Sequence, residues 1–223
     1  MHEPSAFSRP THASPTDAAP ASTTTLMGQV LFLVAIAIAF AAAGTFIGRD
    51  LSPGASLGCF FAGFGMLLVS SFGGSRFRIG TFAIGWLYAL ALLIGLGMGP
   101  AVAYVATVDS SALTQAAGGT ALTVLGMGAL GFALSKDLAP WMRPLSIAIL
   151  GLVVVSIVMT LFFGGGNPII SLAIYGVSAL LIMVDFNFLR KHGTEDHAVL
   201  LATGIFVSIV NIFLSLMNLF SGR

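Results

Sequence analysis

Long apolar runs separated by short polar segments make up the chain from residue 26 onward. A helix rises about 1.5 Å per residue, so about 20 apolar residues cross a hydrocarbon core of roughly 30 Å. The two longer polar segments, 108–115 and 135–144, are predicted to be loops. The apolar runs predict an all-α integral membrane protein with seven transmembrane helices, at about residues 26–48, 55–72, 79–105, 116–134, 145–163, 168–191 and 198–220.

Residues 1–25 contain no apolar run and are rich in proline, serine, threonine and alanine. Such a segment cannot bury a core, so we predict a disordered cytoplasmic tail followed by one seven-helix domain, residues 26–223. The tail is not predicted to be a signal peptide, because the first apolar run comes late and has full spanning length.

The composition supports a polytopic membrane protein. Of 223 residues, 57% are hydrophobic and 8% are charged, whereas soluble domains carry about 25% charged residues. The net charge of +1 gives no indication of nucleic-acid binding. The only cysteine, Cys59, lies inside an apolar run, so it forms no internal disulfide and is predicted to serve in packing.

Basic residues are distributed unevenly between the two ends of the predicted spans, and they favour the cytoplasmic side. We therefore predict a cytoplasmic N-terminus and an external C-terminus, with high alanine and glycine content favouring a bacterial inner (plasma) membrane. One side holds only Arg49 and Arg223, whereas the side of the N-terminal tail holds Arg9, Arg76, Arg78, Lys136, Arg143, Arg190 and Lys191.

Asp185 is the one carboxylate well inside a long apolar run. An ionisable group within a span costs roughly 2.5 to 3.5 kcal/mol on insertion scales, so it marks a functional site facing the bundle interior. Two readings stay open: an ion pair with an arginine such as Arg76 or Arg78, or a titrating gate and cation site. Low dielectric favours the neutral carboxyl whereas an arginine favours the carboxylate, so a modest pH change is expected to switch such a pair.

Polar residues recur at helical spacing in the last two runs, which places each set on one helix face. The expected roles are interhelical hydrogen bonding or a hydrophilic path between the two helices. The sixth run carries Ser171, Tyr175, Ser178 and Asp185, and the seventh carries Gly204, Ser208, Asn211, Ser215 and Asn218.

Glycine motifs inside the apolar runs indicate helix packing rather than nucleotide binding. GMGALG, residues 126–131, matches the dinucleotide fingerprint but lacks the strand that this motif requires. Gly95, Gly97 and Gly99 precede Pro100, so we predict close helix approach and a kink there. The segment KHGTEDH, residues 191–197, is predicted to be a charged turn rather than a metal cluster, because it lacks zinc-type spacing.

Four segments together resemble the Bax inhibitor family, the transmembrane Bax-inhibitor-motif proteins with bacterial members: GMGP (97–100), FALSKDLAPW (132–141), VDFNFLRKHGTED (184–196) and GIFVSIVNIFLSLMNLF (204–220). The resemblance covers all seven predicted spans. It implies a bundle in which the last helix is central. It also implies a pH-sensitive calcium leak in some members, and control of a membrane protease or of stress responses in others.

The resemblance also implies a site. In bacterial members, two aspartates on the last two helices sense protons and bind calcium, and an arginine near the end of the second helix latches the first aspartate. Asp185 matches the first aspartate, Ser208 stands in place of the second, and Arg76 and Arg78 are the candidates for the latch. Calcium prefers six to eight oxygen ligands. With Ser208 and Asn211 adding oxygens but no charge, we expect weak calcium binding at Asp185.

The expected function is therefore a calcium or other cation leak through the bundle interior, gated at Asp185. The polar inner face is expected to comprise Ser171, Ser178, Ser215 and Asn218. The alternative is a regulator without transport, which binds a membrane protease or another membrane protein through glycine-rich faces. No enzymatic activity and no cofactor besides calcium is expected, because the chain has no paired acids in a span, no H-E-x-x-H and no G-x-S-x-G.

Overall fold

A computed structural model describes residues 23–77, 79–163 and 167–222 of the protein. These residues form helices and short connections without a strand, and seven of the helices are long and apolar enough to span a membrane. The predicted all-α, seven-span fold is confirmed. The helices are α1 (Thr23–Gly48), α2 (Pro53–Phe72), α3 (Gly80–Val108), α4 (Ser110–Ala133), α5 (Ala139–Phe163), α6 (Pro168–His192) and α7 (Ala198–Phe220).

Helix α1 begins three residues earlier than predicted, at Thr23. The rest of the predicted tail, residues 1–22, lies outside the described residues. The tail therefore stays a prediction.

The predicted loop 108–115 is wrong, because α4 already begins at Ser110. Asp109 caps this helix: its Oδ1 accepts hydrogen bonds from the Ala112 backbone N–H at 3.0 Å and the Ser111 hydroxyl at 2.7 Å. The Ser111 hydroxyl and the Ala112 N–H hold the pKa of Asp109 below its usual range. Local capping thus extends the helix into a polar sequence.

The predicted loop 135–144 is also too long, because α5 begins at Ala139. Pro140 falls in the first turn, where its missing N–H would have no partner within the helix. Pro144 lies further inside α5, and Pro100 lies inside α3, which continues to Val108. Neither proline ends its helix.

Helix α7 lies at the centre of the bundle, as predicted. It contacts α1, α3, α4 and α6, and Phe206, Ile205 and Ile212 are almost completely buried. Helix α2 packs mainly on α3, and α5 packs mainly on α6. None of the described α5 side chains is fully buried. The two peripheral helices α2 and α5 therefore leave space between them beside α6 and α7.

Glycines set the closest helix contacts. A Cβ atom on Gly95 would lie 2.2 Å from the carbonyl oxygen of Ala41 in α1, and one on Gly131 would lie 2.1 Å from the carbonyl oxygen of Met183 in α6. Gly97 and Gly99 meet Phe60 and Gly48 in the same way. The predicted packing role of these glycines is confirmed, and no strand precedes GMGALG in the described chain.

Replacement of Gly131 by alanine is expected to lower the free energy of unfolding by about 1 to 3 kcal/mol, because the added methyl forces α4 away from α6. Gly126 is the matched control on the same helix, since a Cβ there has no neighbour within 4 Å. Gly126→Ala is expected to change stability by less than about 1 kcal/mol. Thermal unfolding in detergent measures both, and equal losses would contradict the close-packing account.

Candidate functional site

The polar faces of α6 and α7 meet in an antiparallel interface. At one end, a Cβ on Gly204 would lie 3.3 Å from Oδ2 of Asp185. At the other end, Nδ2 of Asn218 donates a hydrogen bond to Oγ of Ser171 at 2.8 Å. These contacts are roughly four helical turns apart on each helix, so they fix one register along the whole interface.

This register brings the middle of the two polar stripes together. It places Ser178 at the level of Asn211, and Ser208 and Ser215 on the neighbouring turns of α7. Ser178, Ser208 and Ser215 are all buried. Oγ of Ser178 has no hydrogen-bond partner among the described residues. The stripe is thus hydrogen-bonded at its Ser171 end and contains an unpaired buried hydroxyl near its middle.

Asp185 lines a partly open cavity of about 300 Å³ between α2, α5, α6 and α7. Its side chain is nearly buried, with 5% of the residue surface exposed. Gly204 adds no side chain beside the carboxylate, which leaves the cavity open at that point. Ser208 and Asn211 of α7 line the same cavity. The structure therefore brings together the three residues predicted to form the cation site.

Two polar residues of this cavity were not predicted: Ser71 near the end of α2 and Ser146 near the beginning of α5. Each hydroxyl donates to its own helix, to the carbonyl oxygens of Leu67 at 3.0 Å and of Met142 at 2.7 Å. The remaining lining is mostly apolar. Helical spacing does not show that α2 and α5 flank the same space, so nothing in the sequence indicates that these two serines line the cavity.

The predicted arginine latch is not formed by Arg76 in this structure. The Arg76 guanidinium lies 5.0 Å from the centre of the Phe82 ring. The ion pairs among the described residues join Arg49 to Asp50 and His192 to Asp137, and neither involves Asp185. Arg78 lies outside the described residues. A latch role for either arginine stays a prediction.

Asn187 forms a hydrogen-bonding centre that was not predicted from the sequence. Its side chain is fully buried. Oδ1 accepts from the backbone N–H of Leu138 at 2.9 Å, and Nδ2 lies 3.1 to 3.2 Å from the carbonyl oxygens of Gly131, Leu134 and Lys136. We call Asn187 and these four backbone groups the Asn187 clamp. It attaches the α4–α5 connection to α6.

Charged side chains reinforce the Asn187 clamp at the end of α6. Arg190 and Lys191 donate to the carbonyl oxygens of Leu134 and Ser135. His192 Nε2 lies 2.9 Å from Oδ2 of Asp137. The backbone N–H of Ala139 and the His192 side chain hold the pKa of Asp137 below its usual range. The segments FALSKDLAPW and VDFNFLRKH, which are separate in sequence, therefore meet in space.

The segment KHGTEDH contributes to this contact and to a turn. Oγ1 of Thr194 lies 2.9 Å from Nδ1 of His197. Within residues 23–77, 79–163 and 167–222, no group of three or more histidine, cysteine, aspartate or glutamate side chains is arranged to hold a metal. The side-chain contacts of His192, Thr194 and His197 agree with the prediction that KHGTEDH is a charged turn.

A last helix packed between α1, α3, α4 and α6, together with Asp185 as the one buried carboxylate among the described residues, defines a polytopic membrane protein built around its sixth and seventh helices. The family model Inhibitor of apoptosis-promoting Bax1 (Bax1-I) matches residues 23–223. This match covers nearly the whole chain, so the chain belongs to the Bax inhibitor-1 family. The predicted family is confirmed, and this family is not known as an enzyme family.

Replacement of Asn187 by alanine is expected to lower the free energy of unfolding by about 2 to 3 kcal/mol, because it leaves buried backbone groups without partners. Hydrogen exchange at the Leu138 amide is expected to accelerate. Asn218→Ala is the control, since Asn218 makes one side-chain bond in a half-buried position. Unfolding in detergent and hydrogen exchange by mass spectrometry measure both, and an unchanged Leu138 amide would argue against the Asn187 clamp.

Proposed function

We propose that this protein is a cation leak of the membrane, with calcium as a permeant ion and Asp185 as its ion-binding and pH-sensing group. One observation carries the proposal: the buried Asp185 carboxylate lines a cavity with Ser208 and Asn211, and it has no ion-pair partner in the described part of the chain. A carboxylate inside a span that is not neutralised by a cationic side chain is available to a mobile cation.

The path begins between α2 and α5. These helices flank the cavity, and Ser71 and Ser146 lie towards the ends that join the 73–79 and 134–138 connections. The excess of basic residues on this side supports a cytoplasmic location for these connections, with the N-terminus cytoplasmic and the C-terminus outside. A hydrated cation entering here meets hydroxyl groups first and then the charge of Asp185.

Beyond Asp185 the path follows the α6–α7 interface. Ser178, Ser208 and Ser215 supply oxygens along it, but these side chains are buried in close packing. The Ser171–Asn218 hydrogen bond joins the two helices at the far end. This arrangement is a closed one, and passage requires α6 and α7 to separate around Ser178 and Asn218.

Protons and cations compete for Asp185 in this scheme. Arg76 lies on Phe82 rather than on the carboxylate, so protonation of Asp185 directly removes the charge that attracts calcium. Calcium is held weakly, because one carboxylate with Ser208 and Asn211 supplies fewer oxygens than the six to eight that calcium prefers. Weak binding suits permeation, since an ion must also leave.

A second candidate is a regulator that binds another membrane protein, such as a protease. The observation in its favour is the exposure of α2 and α5. A Cβ on Gly58 or Gly65 of α2, or on Gly151 of α5, would have no neighbour within 4 Å. Small residues on open helix faces permit close approach of a further transmembrane helix. The regulator is favoured over the leak if purified protein conducts no ion.

The first test is calcium flux into proteoliposomes between about pH 8 and pH 6. If protons compete with calcium at Asp185, wild-type flux falls as the pH falls. Asp185→Asn removes the titrating charge, so its flux is expected to be low and independent of pH. Asp50→Asn is the control, because Asp50 is an exposed carboxylate outside the helices.

Three outcomes separate the alternatives. Flux that rises in acid and requires Asp185 supports the arginine latch instead of direct competition. A pH response that survives in Asp185→Asn places the sensor elsewhere. No calcium flux for the wild type at any pH removes the leak and leaves the regulator.

Replacement of Ser208 by aspartate is expected to strengthen calcium binding by about tenfold or more, because a second carboxylate enters the same cavity. Two close carboxylates also titrate as a coupled pair, so the pH response is expected to broaden into two steps. Ser208→Asn is the control of matched size without the charge. Calcium titration of the purified protein measures the affinity, and equal affinities for the two variants would place residue 208 outside the ion site.

A further inference from the structure

A second cavity lies on the opposite side of α7 from Asp185. It is a groove of about 930 Å³ between α1 and α4, with α3 and α7 forming its floor. Its outer walls include Ile38, Phe46 and Leu125, which are 41%, 68% and 70% exposed. The groove therefore opens sideways from the bundle, toward the space that lipid occupies.

The lining is apolar except for two threonines and one arginine. The hydroxyl of Thr45 donates to the carbonyl oxygen of Ala41 at 2.9 Å, and that of Thr120 donates to Ala116 at 2.7 Å. Both threonine donors are thus used within their own helices. The walls of the groove favour an apolar occupant, and among the described residues that line it Arg49 is the only charged one.

The length of the groove matches one leaflet of a bilayer. Along α1 and the residue that follows it, the lining runs from Ile38 to Arg49, which is about 16 Å at the rise of a helix. Half of a hydrocarbon core is roughly 15 Å. The deep end therefore lies near the bilayer centre, and Arg49, just after the end of α1, lies at the level of the lipid headgroups.

Arg49 is held at the mouth of the groove by two contacts. Its guanidinium carbon lies 4.7 Å from the centre of the Phe46 ring, and its Nε lies 3.1 Å from Oδ2 of Asp50. The Asp50 contact uses one of five N–H donors, and the other four are on the terminal nitrogens. Guanidinium groups bind phosphate oxygens through such paired donors.

We propose that this groove is a phospholipid site, in which an acyl chain lies between α1 and α4 and the phosphate accepts hydrogen bonds from Arg49. The apolar walls, the one-leaflet length and the cation at the headgroup end together match the chemistry of a phospholipid. The site is separate from the Asp185 cavity and does not depend on ion conduction.

The test uses the purified full-length protein and a phospholipid probe with a photoreactive group near the end of its acyl chain. Labelling is expected deep in the groove, on the segments around Ala121 of α4 and Ile209 of α7. A diacylglycerol probe with the same chains lacks the phosphate and is expected to label these segments about tenfold less, as is the phospholipid probe on Arg49→Gln.

Matched variants separate this site from general contact with lipid. Ala121→Trp fills the groove and is expected to abolish the deep labelling. Leu122→Trp places the same side chain just outside the groove, at a residue that is 73% exposed. The probe is expected to label this variant as it labels the wild type. Asp50→Asn removes the negative charge that competes with phosphate for Arg49 and is expected to retain full labelling.

Other occupants give different results. Labelling spread evenly over the lipid-facing helices, or equal labelling by the phospholipid and diacylglycerol probes, would overturn the proposal. So would cross-linking of a second copy of the chain through the groove in place of the probe. Size-exclusion profiles of each variant in detergent establish that a lost signal does not come from misfolding.

Discussion

The close packing of α6 against α7 around Asp185 is the constraint on which the rest of the structure depends. A carboxylate inside a span costs roughly 2.5 to 3.5 kcal/mol on insertion scales, so the bundle must keep it away from lipid. It does so by turning Asp185 of α6 toward the central helix α7, where Gly204 leaves room for the carboxylate oxygens. The same register then brings the polar residues of both helices into one interface.

Within a bilayer, apolar burial contributes little to helix association, because lipid chains are as apolar as the side chains. The bundle relies instead on close backbone contacts and on internal hydrogen bonds. Gly95 and Gly131 bring α3 to α1 and α4 to α6. Asn187 joins the end of α6 to the α4–α5 connection. Helix α2 is held to α3 in the same way, where Gly97 meets Phe60, whereas a Cβ on Gly151 of α5 would have no neighbour within 4 Å.

The sequence predicts the helices well because a bilayer imposes a length and an apolar composition on each span. It misplaces the beginnings of α4 and α5, where Asp109 caps one helix and Pro140 occupies the first turn of the other. These are local effects, and the length of an apolar run does not indicate them. Helix spacing also predicts the polar stripes of α6 and α7, because residues three and four apart share a face.

Which helices are neighbours is not encoded in spacing, and this limits prediction of the site. The cavity lining from Ser71 and Ser146 depends on α2 and α5 flanking the same space. Helical spacing gives no indication of Asn187, because it lies two residues from Asp185 and therefore on a different face of α6. Helix α6 therefore carries two functional side chains on different faces: Asp185 lines the cavity, and Asn187 binds the connection between α4 and α5.

Helix α7 has a similar double position, since Val210 lines both the Asp185 cavity and the groove beside Arg49. Ser208 and Asn211 face the first space, whereas Phe206 and Phe213 face the second. Any shift of α7 away from α6 therefore reduces the volume of the groove as it opens the polar interface. An acyl chain that fills the groove opposes this shift through close packing. The proposed lipid site on one side of α7 and the proposed cation path on the other are thus linked by the position of a single helix.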